Sequence, residues 1–170
     1  TGAYDLGLEG LKLLKEKATG EQARQILKDV ALTRTDYVAN QAAVMLRTDD
    51  GATATTAVEL LDAPSEGVRR YAVYWLDECS EEAAAKEGLL GATNSKYNDV
   101  RLQAANSIAT SKLDGGFEKL VGLLGHFEGY EQNRVLQNLQ EFGDPRTPQT
   151  LLELLENDSA NHFDSATLIS

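Results

Sequence analysis

Apolar and small residues return every four positions along much of the chain. In VRRYAVYWL, from residue 68, the returning positions are Val68, Ala72 and Leu76. A spacing of four keeps side chains on one face of an α-helix. Thirty-two residues on, VRLQAANSI repeats the pattern as Val100, Ala104 and Ile108. Thirty residues back, VANQAAVML gives Val38, Ala42 and Leu46, and earlier LGLEGLKLL gives Leu6, Gly10 and Leu14. The small middle residue lets two helices approach closely.

Between these segments lie aliphatic doublets: Ile26-Leu27, Leu60-Leu61, Leu89-Leu90, Leu123-Leu124 and Leu154-Leu155. The chain therefore alternates a doublet helix, A, with a small-centred helix, B. A two-helix unit of about 30 residues cannot bury its apolar face alone, so successive units must stack. Turn chemistry agrees. Pro64 falls where an A helix must stop, and Gly115-Gly116 and Gly143-Asp144-Pro145 fall at B-to-A turns. Asp36, Ser65 and Asn98 stand where B-helix caps are wanted. The pattern predicts helices over 4–17, 21–31, 36–47, 53–62, 66–78, 81–92, 98–111, 115–126, 130–142, 147–157 and 161–169. Around 130–145 the register is open. The repeat would put Arg134 and Asn138 at the first apolar and the small position, whereas Val135, Leu139 and Phe142 make the apolar stripe.

Composition narrows the function classes. The chain of 170 residues is 42% hydrophobic, enough for one real core, and is read as a single repeat domain over 1–170. Segment 4–17 reads as a partial first repeat and 161–170 as a partial last one, like a section of a longer array. No apolar run reaches the roughly 18 residues that would cross a bilayer, and no signal-peptide pattern opens the chain. The compartment stays open, with the cytoplasm slightly favoured. One Cys makes no internal disulfide. The net charge of −11 argues against a general phosphate-backbone binder and for solubility or basic protein partners.

LLDAPSEGVRRYAVYWL (60–76), LLGATNSKYNDVRLQAANSI (89–108) and EFGDPRTPQTLLELL (141–155) together resemble the HEAT-repeat superfamily in its short, phycobilisome-lyase-type form. Val-Arg opening helix B, small residues in its middle and Gly-Asp-Pro-Arg leading into helix A carry the resemblance. It implies an all-α, right-handed α-solenoid of about five two-helix repeats, with helix B lining the concave surface. It also implies a structural ladder in which Arg69 and Arg101 pair with acidic neighbours or backbone carbonyls, with Asp62 and Asp99 as the candidate acids.

Advancing 100° per residue from a buried Val68 returns Tyr71, Ala72, Trp75, Leu76 and Cys79 to the buried side. Arg70, Val73, Tyr74 and Asp77 point away. Trp75 reads as core, and Cys79 as a small buried residue with no basic neighbour to activate it. Tyr74 faces outward, as an interface residue or as an ordinary exposed tyrosine. The same rotation places Asn40, Val44 and Arg47 on one side of this strip, and Leu102 and Asn106 on the other. The surface is mixed and lacks the dense Lys/Arg array of a nucleic-acid groove.

Chemical motifs are sparse. There is no HExxH, paired Cys or phosphate-binding loop, and His126 and His162 lack metal-ligand spacing. Asp49-Asp50-Gly51 reads as a turn rather than a calcium loop. Asp77, Glu78, Glu81 and Glu82 read as a solvated acidic patch, and Asn157-Asp158-Ser159 as a formal glycosylation sequon. No catalytic, cofactor or metal set is assigned. The leading expectation is a non-catalytic scaffold that binds a protein or peptide through Asn40, Arg47, Arg70, Tyr74, Asp77 and Asn106. Two other classes remain open through the resemblance. One is a bilin lyase-like enzyme or subunit, which would retain a bilin through gel filtration. The other is a HEAT-like DNA glycosylase or nucleic-acid reader, which the charge disfavours.

Overall fold

The computed structural model describes residues 2–17, 20–49 and 51–157. They form ten α-helices: α1 (Gly2–Lys17), α2 (Gly20–Thr33), α3 (Tyr37–Arg47), α4 (Ala54–Leu60), α5 (Glu66–Glu78), α6 (Ala83–Ala92), α7 (Asn98–Ser111), α8 (Gly116–Leu123), α9 (Gly129–Phe142) and α10 (Thr147–Asn157). No strand occurs among the described residues. The helix expected over 161–169, His162 and the end of the sequon lie outside the described residues.

The packing order follows the alternation in the sequence. The odd-numbered, B-type helices pack in succession, α1 on α3, α3 on α5, α5 on α7 and α7 on α9. The even-numbered, A-type helices form a second layer, with α2 on α4 and α4 on α6. Each A helix from α2 to α8 packs on the B helix that follows it. One core runs through the stack, because neither layer covers its apolar face without the other.

Local chemistry sets the helix ends. Asp36 caps α3, its Oδ1 accepting from the Ala39 N–H at 3.3 Å. Ser65 holds the cap position of α5, but its Oγ donates to Asn40 Oδ1 at 3.0 Å instead of capping. The cap of α7 is Tyr97 rather than Asn98, which is the first helical residue. Helix α4 is shorter than expected because the chain unwinds into turns from Leu61 to Pro64. The last turn of the segment expected over 115–126 tightens into a 3₁₀ helix at Leu124–His126. Gly143 closes α9 at φ +74, the left-handed conformation that glycine adopts without penalty.

The small central residues Ala42, Ala72 and Ala104 are wholly buried, and so are their apolar flanks. Four details differ from the sequence pattern. On α1 the close approach falls at Gly7, where a Cβ would lie 2.9 Å from Val38 Cγ2; Gly10 is exposed, with no atom within 4 Å of an added Cβ. On α9 the buried positions are Gln132, Val135, Leu136, Asn138 and Leu139, so the register settles three residues before the Arg134–Asn138 frame. Burying Val135 and Leu136 gains apolar area and spares the Arg134 guanidinium full desolvation. Val73 and Leu102 were expected to face outward, and both are buried. The reason is shared. Helix α5 is flanked by α3 and α7 while lying on α4 and α6, so its buried arc is wider than one amphipathic stripe.

Candidate functional site

This wide burial leaves each B-type helix one narrow strip facing solvent. Residues at equivalent positions of the repeat share the same environment. Gln41, Tyr71 and Gln103 are half-buried, while Val44, Tyr74, Asn106 and Gln137 are exposed. The strip is rich in tyrosine: Tyr37 on α3 is 56% exposed, Tyr74 on α5 51% and Tyr130 on α9 77%.

The strip is most organised where α3 meets α5. Arg47 reaches across to α5, donating from Nη1 to Tyr71 Oη at 3.4 Å and from Nη2 to Glu78. Its guanidinium carbon lies 5.8 Å from the Tyr71 ring centroid and 5.5 Å from that of Tyr74. Tyr74 donates its hydroxyl to Glu78 Oε1 at 2.8 Å. That bond and the carboxylate charge push the Tyr74 phenol above its ordinary pKa. The hydrogen bond to Tyr71, with the Glu78 carboxylate, holds Arg47 firmly charged. Beside this cluster, Gly67, Arg70, Tyr71, Tyr74 and Gln103 line a shallow hollow of about 380 Å³.

Of the six candidate contact residues, Arg47, Arg70 and Tyr74 gather at this junction. Asn40 is half-buried and committed to structure: it accepts from Ser65, and a Cβ on Gly67 would lie 2.6 Å from its Oδ1. Asp77 is half-buried and reached by Ser111 Oγ at 3.4 Å. Asn106 is exposed on α7. Sequence reasoning missed Tyr71, Gln103 and Glu78 as members of the cluster. For Tyr71 and Gln103 the signal was available in register, since each stands three residues beyond the first apolar position of its helix.

The four ladder candidates fall differently. Arg69 is buried, with Nε and Nη2 donating to the two Asp99 oxygens at 2.9 and 3.1 Å. Its Nη1 donates to the carbonyls of Ala63 and Pro64, each at 3.0 Å. Its guanidinium carbon sits 3.8 Å from the centroid of the Tyr97 ring. Asp62 is exposed and pairs with Lys96 at 3.6 Å rather than with Arg69. Arg101 bonds Asn98 and lies over Phe127, with Nε buried and without a hydrogen-bond partner. The position equivalent to Asp99 in the next unit holds Tyr130, so Arg101 meets no acid there. Gln132 occupies the equivalent of Arg101 and donates to the Leu124 carbonyl at 3.1 Å.

The remaining candidates for chemistry lie apart. Trp75 is in the core. Cys79 is half-buried, and burial followed by the Glu82 and Glu78 charges pushes its thiol upward, which keeps it protonated at neutral pH. His126 is exposed. Asp49 is held by Arg24 at 2.6 Å and by the Gly51 N–H at 3.0 Å, in a turn. Among the described residues, no three His, Cys, Asp or Glu side chains converge to hold a metal ion. Nor is any helix among them long and apolar enough to cross a membrane.

The A-type layer presents gaps instead of a polar cluster. Hollows open between α2 and α4, between α4 and α6 (about 540 Å³, the largest of these) and between the end of α6 and α8. Short side chains such as Ala84, Gly88 and Gly91 form much of the α6 wall of the largest. Comparison of the chain with protein-family models, with curated proteins and with solved structures returns no match.

Proposed function

We propose that this chain is a HEAT-like helical-repeat scaffold that binds a protein or peptide along its B-helix strip, and that it does not itself catalyse a reaction. In this reading the stack is a right-handed superhelix of short repeats, with the B layer concave. Unequal spacing of the layers supports the concavity. The B helices pack on one another in succession from α1 to α9, whereas the A helices do so only from α2 to α6 and leave the largest of their hollows between α4 and α6, and a two-layer stack curves toward its tighter side.

The observation that carries the proposal is the junction of α3 and α5. Two tyrosines and two arginines, residue types that dominate binding hot spots, meet there on a surface strip. Three of these side chains are held in place by hydrogen bonds to one another or to Glu78, so little side-chain entropy remains to be lost on binding.

The test is affinity capture by residues 1–170 beside a Tyr74→Ala/Arg70→Ala double variant, with hydrogen exchange measured on the complex. The wild-type chain should capture a partner that the double variant loses at least tenfold, and α3 and α5 should be protected, while both proteins melt at the same temperature. A partner held equally by both proteins would place binding elsewhere and overturn the proposal.

A further inference from the structure

We infer that the hollow beside Arg70 is a carboxylate subsite, which anchors an acidic side chain of the partner. This rests on the protein-binding reading and gives it a chemistry.

The inference starts from charge. The chain carries 27 acidic and 16 basic residues, so most arginines find a carboxylate. Arg24, Arg34, Arg47, Arg69 and Arg146 each hold one, whereas Arg70, Arg101 and Arg134 have no ion pair among the described residues, and of these three only Arg70 is exposed. Arg70 is exposed and, among the described residues, has neither an ion pair nor a hydrogen bond. Glu66, one helical turn earlier, is not within ion-pair distance, and Asp99 is taken by Arg69.

The hollow's walls complete a donor set. No acidic residue lines it. Tyr71 accepts from Arg47 through its oxygen, which leaves its own hydroxyl hydrogen to donate. Gln103 supplies an amide NH₂, and Arg70 supplies a planar fork that fits a carboxylate in bidentate fashion. Gly67 stands in the first turn of α5, where the helix dipole adds positive partial charge, and Arg70 begins the second turn. Tyr74 gives its hydrogen to Glu78, so it contributes a ring wall rather than a donor. The overall charge of −11 repels a polyanion, so a single carboxylate on an otherwise neutral or basic segment fits this surface best.

The test uses ¹⁵N-labelled residues 1–170 and three small probes: N-acetyl-glutamate amide, N-acetyl-glutamine amide and inorganic phosphate. The glutamate derivative should shift the Arg70 Nε–H and Gln103 side-chain signals saturably, with an affinity on the order of 1–10 mM, the range for so small a ligand. The glutamine derivative should shift neither. Arg70→Gln should weaken the response at least tenfold while the other signals stay in place. No response to the glutamate derivative, an equal response to glutamine, or tighter binding of phosphate would each overturn the subsite. If the double variant loses its partner but the glutamate derivative does not bind, the face stands and the carboxylate subsite falls. If the glutamate derivative binds but no partner depends on this face, the partner reading falls.

Discussion

Arg69 shows how much one side chain organises in this stack. It lies at the start of α5, yet it touches the turn that joins α4 to α5 through two carbonyls, and the start of α7 through Asp99 and the Tyr97 ring. Its burial is compensated because four hydrogen bonds satisfy the charge, in contrast to Arg101, whose Nε is buried and unbonded. Arg69→Ala strands Asp99 and two carbonyls, and it should cost about 2–4 kcal/mol in urea unfolding. Arg69→Lys should recover less than half, since an ammonium cannot fork to Asp99 and stack on Tyr97 together. A loss below about 1 kcal/mol for Arg69→Ala would mean that the three helices hold their positions without this clamp.

At the scale of elements, close helix approach is set by single glycines, and their effects should have opposite signs. Gly116 opens α8, wedged between α7 and α9: a Cβ there would lie 2.4 Å from Ile108 Cγ2 and 3.0 Å from Phe142 Cε2. Gly116→Ala should therefore overpack the junction and cost about 1–3 kcal/mol. Gly10 lies inside α1 with open space around it, so Gly10→Ala should stabilise by about 0.5–1 kcal/mol through helix propensity. Thermal melts of the two variants should move in opposite directions; destabilisation by Gly10→Ala would sink the assignment of Gly7, rather than Gly10, as the contact on α1. The sequence pattern placed all ten described helices because a period of four, doublets and turn residues all agreed. It misread Gly10, Val73 and Leu102, and left the α9 register open, because one amphipathic stripe carries no information about flanking helices. The Arg70–Tyr74 strip was legible for the same reason the helices were. Gln103 was legible in register and was missed, whereas the part of Glu78 was not legible, because it depends on how α3 and α5 are spaced across the layer.

The whole molecule is nearly one-dimensional, since most helix contacts join a unit to itself or to its neighbours. Stability in such a stack is a sum of unit and interface terms, and it falls where a unit has fewer interfaces. The largest fully buried side chains reflect this distribution: they run from Leu46 on α3 to Leu139 on α9, and among the described residues none belongs to α1, α2 or α10. In α1, Leu11 is buried but Leu13 is 53% exposed, and on α10 Leu152 is 54% exposed. Native-state hydrogen exchange of residues 1–170 should therefore show a gradient. Amides of α5 and α7 should exchange only through global unfolding, while those of α1 and α10 should open with free energies lower by at least about 1.4 kcal/mol, a tenfold difference in rate. Mild denaturant should leave the end helices' exchange nearly unchanged and accelerate the centre, since the ends open by exposing little surface. Uniform protection from α1 to α10 would mean that the stack unfolds as one cooperative unit. The Arg69 and Gly116 contacts would then couple the layers over the whole length rather than between neighbours.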